Sequence, residues 1–296
     1  QKEYIVWDMC CGVGNLEVKH SNPRNIFMST LDSADVDVMK ATKTCVAATR
    51  FQYDYLNDDI SDDGKIDYSL TNKVPEALRK AIAEGKKILV LINPPYAESG
   101  EGAGLGNKKG VAKTKVASSM MNEYGKASNE FFVQFVARIA QEIPTATLAM
   151  FSTLKYVNAS NFEKFRNIWN AKYLNGFVVH NKAFDGMKGN FPIGFLIWKT
   201  DNTSLRGTKQ SITTIDTEVL DKNANPIGEK SFYNFPNETF LSQWINRPKA
   251  NKEQVISLSN AVTPTKTTSG STMWSDNAIA HFVCDSNDFQ NATQYT

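Results

Sequence analysis

Along the first half of the chain, short apolar runs alternate with stretches in which apolar residues recur every three or four positions. YIVWD (4–8) predicts a strand, followed by a glycine-containing turn and a short helix near Leu16–His20. NIFMST (25–30) predicts a second strand, ADVDVMKAT (34–42) a helix, and CVAATRF (45–51) a third strand running towards Asp54. PEALRKAIAEG (75–85) reads as a helix with Pro75 at its first position and Gly85 at its end. KILVLI (87–92) is almost uninterruptedly apolar, the mark of a strand covered on both faces. After a polar insert from Ala97 to Ala127, SNEFFVQFVARIAQEI (128–143) predicts an amphipathic helix capped by Ser128. TATLAMFS (145–152) then predicts a strand, NFEKFRNIWNAKY (161–173) a helix, and GFVVH (176–180) with IGFLIWKT (193–200) a pair of strands.

This alternation predicts an α/β fold: a Rossmann-like, mostly parallel sheet with an antiparallel edge hairpin and helices on both faces. From Asp201 the pattern changes to strands and loops, in SITTIDTEVLD, NANP and FYNFP, with a short helix at ETFLSQWIN and an Asn- and Ser-rich tail. The chain therefore divides into a large α/β domain at 1–200 and a small C-terminal unit at 201–296.

Composition narrows the function. With 33 Lys and Arg against 31 Asp and Glu, the net charge is only +2, so any nucleic-acid contact rests on a local basic patch. No apolar run reaches membrane-spanning length and no signal peptide is present, which predicts a cytoplasmic protein without a membrane partner. The four cysteines, Cys10, Cys11, Cys45 and Cys284, contain no C-x-x-C pair and read as reduced thiols. The histidines His20, His180 and His281 show no ligand spacing, so no metal site is expected.

The chemistry concentrates at predicted strand ends. The first strand runs into D-M-C-C-G-V-G-N, where glycines let backbone approach a ligand closely. The turn lacks the third glycine of the dinucleotide fingerprint and the lysine of a phosphate-binding loop. Asp32 and Asp54 follow the second and third strands; each alone reads as a cap or turn residue. After the fourth strand comes INPPYAESG (92–100), whose two prolines can continue neither a sheet ladder nor a helix. It is a stiff projection from a strand end.

In this order, WDMCCGVGN, LDSAD, YDYL and NPPY resemble the motifs of the S-adenosylmethionine-dependent DNA adenine-N6 methyltransferases of the gamma group, over about residues 4–200. The resemblance implies S-adenosylmethionine as cofactor, held by Asp8, Cys10, Gly12, Gly14, Asn15, Asp32, Asp54 and Tyr55. The family often has Glu two residues before Asp32, where this chain has Thr30, and Asp32 is taken as the ribose ligand. Asn93, Pro94, Pro95 and Tyr96 form the implied catalytic clamp, with Tyr96 and Phe184 as stacking walls and Phe191 as the second choice. Lys108, Lys109, Lys113 and Lys115 in the insert are either a solvated loop or contacts to DNA phosphates.

The implied partners are double-stranded DNA and a specificity or nuclease domain or subunit, in a restriction-modification or phage-defence context. Competing readings are an RNA or protein-glutamine N-methyltransferase, cytosine-N4 methylation, and a DNA-binding module without catalysis. The first residue is Gln1 and the first strand starts almost at once, which predicts the catalytic portion of a longer polypeptide. Its C-terminal unit then reads as the start of a target-recognition region.

Overall fold

The computed structural model describes residues 4–20, 22–95, 114–169, 171–184, 190–200 and 214–234, and two strands at 254–259 and 281–285. Nine strands form one mixed sheet in the order β3-β2-β1-β4-β5-β7-β6-β8-β9. Its parallel half comprises β1 (Ile5–Asp8), β2 (Ile26–Thr30), β3 (Thr49–Gln52), β4 (Ile88–Ile92) and β5 (Thr147–Thr153). β7 (Pro192–Lys199) runs antiparallel between β5 and β6 (Lys172–His180). The fold is α/β, as the alternating pattern predicts.

The two faces of the sheet follow from the side-chain period of two. Trp7, Phe27, Val90 and Met150 point into the larger core, which also takes Leu78 of α2 (Glu76–Ala83) and the buried face of α3 (Phe131–Glu142). Tyr156 of α4 (Lys155–Asn158) and Phe165 of α5 (Glu163–Ile168) join the same core. Val6, Met28, Leu91 and Ala149 point to the other face and meet Val36 and Met39 of α1 (Ser33–Ala41). Among the described residues helices thus cover both faces, four on one side and one on the other.

Several expected details differ. The β6–β7 hairpin is not the edge: β8 (Thr214–Leu220) pairs parallel to β6, and β9 (Pro226–Tyr233) completes the edge antiparallel to β8. The first compact unit accordingly runs from Gln1 to Pro236, beyond the boundary expected at residue 200. A second unit, Asn237–Thr296, contains the antiparallel pair β10 (Gln254–Ser259) and β11 (His281–Asp285) among its described residues. The helix expected at ETFLSQWIN lies outside the described residues.

Residues 12–19 form successive turns rather than a helix, with Glu17 N–H bonded to the Gly14 carbonyl. Pro75 is the N-cap of α2, one position earlier than its expected place. Ser128 does not cap α3; its hydroxyl donates to the Gly125 carbonyl at 2.8 Å, and the extended Glu130 occupies the N-cap. The second half of the polar insert is folded: a π-type turn at Val116–Met120 buries Val116 and Met120, and Met121, Tyr124 and Ala127 follow into the core. The stretch at 161–173 yields only α5 before Lys172 enters β6, because Trp169 takes an extended conformation at the helix end.

Candidate functional site

The strand order reverses direction between β1 and β4, and a crevice outside the carboxyl ends of parallel strands opens at such a point. Here it is a cavity of about 430 Å³. Met9, Cys10 and Gly12 line it from the turn after β1, and Thr30 and Leu31 from the end of β2. The segment Tyr53–Asn57 follows β3 and forms a third wall, Pro95 comes from the loop after β4, and Thr114, Phe131 and Phe135 close the remaining side.

The turn after β1 is shaped by two left-handed glycines, Gly12 at φ 52° and Gly14 at φ 83°. A side chain at Gly14 would also collide with Met28, since a Cβ there would lie 2.6 Å from its Cε. Asp8 is buried and accepts the Cys10 N–H at 2.8 Å, which fixes the start of the turn. Burial, and next the facing Glu17 carboxyl, hold the Asp8 pKa well above the ordinary carboxylate value. Glu17 is buried too, and burial raises its pKa; neither of its oxygens meets a donor at normal hydrogen-bond geometry among the described residues. Burial pushes the Cys10 thiol well up, with Asp8 and Cys11 adding to it, while the Asn93 backbone N–H that reaches the sulfur opposes the shift. Cys10 is therefore a neutral thiol on the cavity wall.

Asp54 organises the third wall. Its carboxylate accepts the Leu56 N–H at 3.1 Å and the Asn57 side-chain amide at 2.8 Å. Tyr55 stacks on Phe135, with ring centroids 5.4 Å apart, and meets Trp7 edge-on at 5.5 Å. Beneath this wall lies a polar assembly that the sequence pattern does not announce. Arg138 and Glu142 on α3 are ion-paired at 3.2 Å with side chains at 0% and 1% exposure, which leaves the pair no water to lean on.

The structure gathers Cys10, Gly12, Asp54, Tyr55 and Pro95 around one cavity and puts Asp8 and Gly14 directly behind it. Asn15 is exposed on the turn. Asp32 does not line the cavity: it is the N-cap of α1, its carboxylate accepting the Ala34 N–H at 2.9 Å. Thr30 takes that place in the wall, its hydroxyl donating to Asp35 at 2.7 Å. Asn93 and Pro95 are exposed and Pro94 is buried. Phe184 also lies off this cavity, half-buried and edge-on to Phe151 at 5.7 Å, while Phe191 lines a separate cavity with Leu154 and Phe232. The Lys115 ammonium donates to the Ile60 carbonyl at 3.0 Å. Tyr96, Lys108, Lys109 and Lys113 lie outside the described residues. Among the described residues no His, Cys, Asp and Glu cluster could hold a metal, and no helix is long and apolar enough to cross a membrane.

No family model matches the chain, and no curated protein does. Solved structures are similar in fold. A DNA-bound ATP-dependent Type ISP restriction-modification enzyme, LlaBIII, aligns with 75% of this chain and 18% of its own, at TM-score 0.45 and 10% identity. The EcoKI M protein of a Type I restriction enzyme aligns with 74% of this chain and 45% of its own, at TM-score 0.42 and 11% identity. A SAM-dependent methyltransferase from Anabaena variabilis aligns with 68% of this chain and 78% of its own, at TM-score 0.38 and 10% identity. The chain spans less than half the length of the two restriction-enzyme chains. Likeness at this level concerns fold alone.

Proposed function

We propose that the chain is an S-adenosylmethionine-dependent DNA adenine-N6 methyltransferase acting on a flipped-out adenine, in a restriction-modification or phage-defence setting. One observation carries this reading: the Gly-x-Gly turn, the Asp54–Asn57 turn and Pro95, at the end of the Asn-Pro-Pro segment, line a single cavity at the sheet's switch point. Its volume of about 430 Å³ suits a nucleoside-sized group. The apolar Met9, Leu31, Phe131 and Phe135 give flat contacts for a purine, and Gly12 and Asp54 add close backbone approach and an acceptor. Those residues would hold the cofactor, which supplies an electrophilic sulfonium methyl when bound.

The chain's own task is to activate a poor nucleophile, because the lone pair of an exocyclic adenine amine is delocalised into its ring. In the proposed mechanism the Asn93 side-chain oxygen and the Pro94 carbonyl accept the two amine hydrogens, which pyramidalises nitrogen and stabilises its developing positive charge. Pro94 and Pro95 restrict the backbone, so the acceptors are oriented before substrate arrives. The target base leaves the duplex to reach them, and Tyr96 supplies the stacking ring. The second stacking wall is assigned to Phe184.

The test is transfer of a tritiated methyl group to duplex DNA, RNA and protein by the wild-type chain and by Asn93→Ala. Label is expected on N6 of DNA adenine with the wild type. The variant should lose transfer while keeping cofactor affinity within about threefold, since Asn93 serves the amine. Full activity of Asn93→Ala would refute the clamp, and label on RNA or protein alone would refute the DNA assignment.

A further inference from the structure

One stripe of α3 does two jobs. Phe131 and Phe135 stand one turn apart and line the cavity; Arg138 and Glu142 continue the same stripe at helical spacing and are buried below it. Every donor of the Arg138 guanidinium is used. Nε and Nη2 reach Glu142 at 3.2 and 3.4 Å, and Nη2 also donates to the Tyr53 hydroxyl at 2.6 Å. Nη1 donates to the carbonyls of Tyr55 and Asp58, and the guanidinium lies 4.3 Å from the Tyr55 ring centroid. Glu142 in turn accepts the hydroxyls of Tyr55 at 2.6 Å and Tyr68 at 2.7 Å.

We infer that Arg138 and Glu142 are positioning residues for ligand binding. Neither side chain lines the cavity, yet together they hold the side chains of Tyr53 and Tyr55 and the carbonyls of Tyr55 and Asp58. Three of those four tethers belong to the wall that follows β3, and the fourth, at Asp58, closes the turn that Asp54 begins. A helix that already lends Phe131 and Phe135 to the adjoining wall thus also fixes the position of this one. This inference rests on the reading of the cavity as the S-adenosylmethionine site.

The experiment measures S-adenosylhomocysteine binding by calorimetry, the cofactor KM and kcat, and the Tm, for wild type, Glu142→Gln and Tyr68→Phe. Tyr68→Phe removes one hydroxyl from Glu142 without touching the cavity, and it keeps the test open should Glu142→Gln fail to fold. Phe165→Leu, in the distant aromatic cluster with Trp169 and Tyr156, serves as a control with a comparable loss of Tm. The expected result is a dissociation constant and KM raised about tenfold in Glu142→Gln and about threefold in Tyr68→Phe, with kcat within twofold and the control unchanged. Wild-type binding with both variants inside twofold of it, or an equal change in Phe165→Leu, overturns the positioning role alone. Absence of wild-type binding overturns the cofactor reading and the inference with it.

Discussion

Replacing Glu17 by glutamine removes one negative charge and keeps the shape of the side chain. In the native turn Glu17 and Asp8 are each 1% exposed, and their carboxyls face one another. Both have raised pKa values, with burial as the largest cause in each case. A carboxyl whose folded pKa lies above its unfolded value contributes its full stability below the unfolded value, here 3.8 for Asp8 and 4.5 for Glu17. That contribution is lost as pH rises through the folded value, because ionisation must then occur in a buried, unpaired setting. Leaving a buried acceptor unsatisfied costs about 1–3 kcal/mol. Glu17→Gln places an amide N–H donor opposite the Asp8 carboxyl, which relieves one penalty of this size, and lowers the raised pKa of Asp8, whose second cause is Glu17 itself.

For a domain of this size about 1 kcal/mol corresponds to a 2–4 °C change in Tm, so at pH 8 the variant should melt about 2–12 °C above wild type. At pH 4, below the unfolded value for glutamate, the two should melt within about 1 °C of each other. Thermal unfolding followed by circular dichroism from pH 4 to 8.5 measures the gap directly. A variant that is less stable than wild type at pH 8, or a gap independent of pH, would refute the buried-carboxyl argument.

Asp54→Ala removes the acceptor for Leu56 and Asn57, and should weaken S-adenosylhomocysteine binding by about 1.5–3 kcal/mol, measured by calorimetry. Gly14→Ala forces a side chain to φ 83° and onto Met28, and should cost about 1–3 kcal/mol of stability in urea titrations. Lys115→Ala should leave the salt dependence of DNA binding unchanged, because the ammonium is held by the Ile60 carbonyl; a slope smaller by about one unit would assign it to a phosphate.

β1, β2 and β4 were legible because their residues alternate between two buried faces, and Val6 and Trp7 do face opposite cores. The folding of Val116–Ala127 was not, because its buried residues are few, irregularly spaced and mixed with serines and lysines. The pairing of β8 with β6 has no local signal either, since a parallel neighbour is chosen by tertiary packing rather than by a turn. At the site, strand-end chemistry pointed to the glycines, Asp54 and the Asn-Pro-Pro segment, and Gly12, Asp54 and Pro95 share the cavity wall. Asp32 caps α1 and does not line the cavity, because an aspartate at the start of a helix satisfies the helix first. Arg138 and Glu142 were not legible, because two charges on an amphipathic helix ordinarily read as its solvated face, and only tertiary packing shows both to be buried and paired.

The strand order also dictates a sequence of events in folding. β1 carries the glycine turn, but both of its neighbours are parallel, and Ile5 must find Ile88 across the whole first third of the chain. From β5 onward the pairings are mostly antiparallel, and in the β6–β7 and β8–β9 hairpins they join residues close in sequence. Loop closure is costlier for distant partners, so local hairpins form on faster timescales than parallel crossovers. The half of the sheet without the cavity is expected to assemble first and to serve as the template on which β4, and then β1, dock. Ligand binding would then report the last step of folding, and a refolding chain should regain its Trp198 environment, in β7, before it regains any affinity for the cofactor.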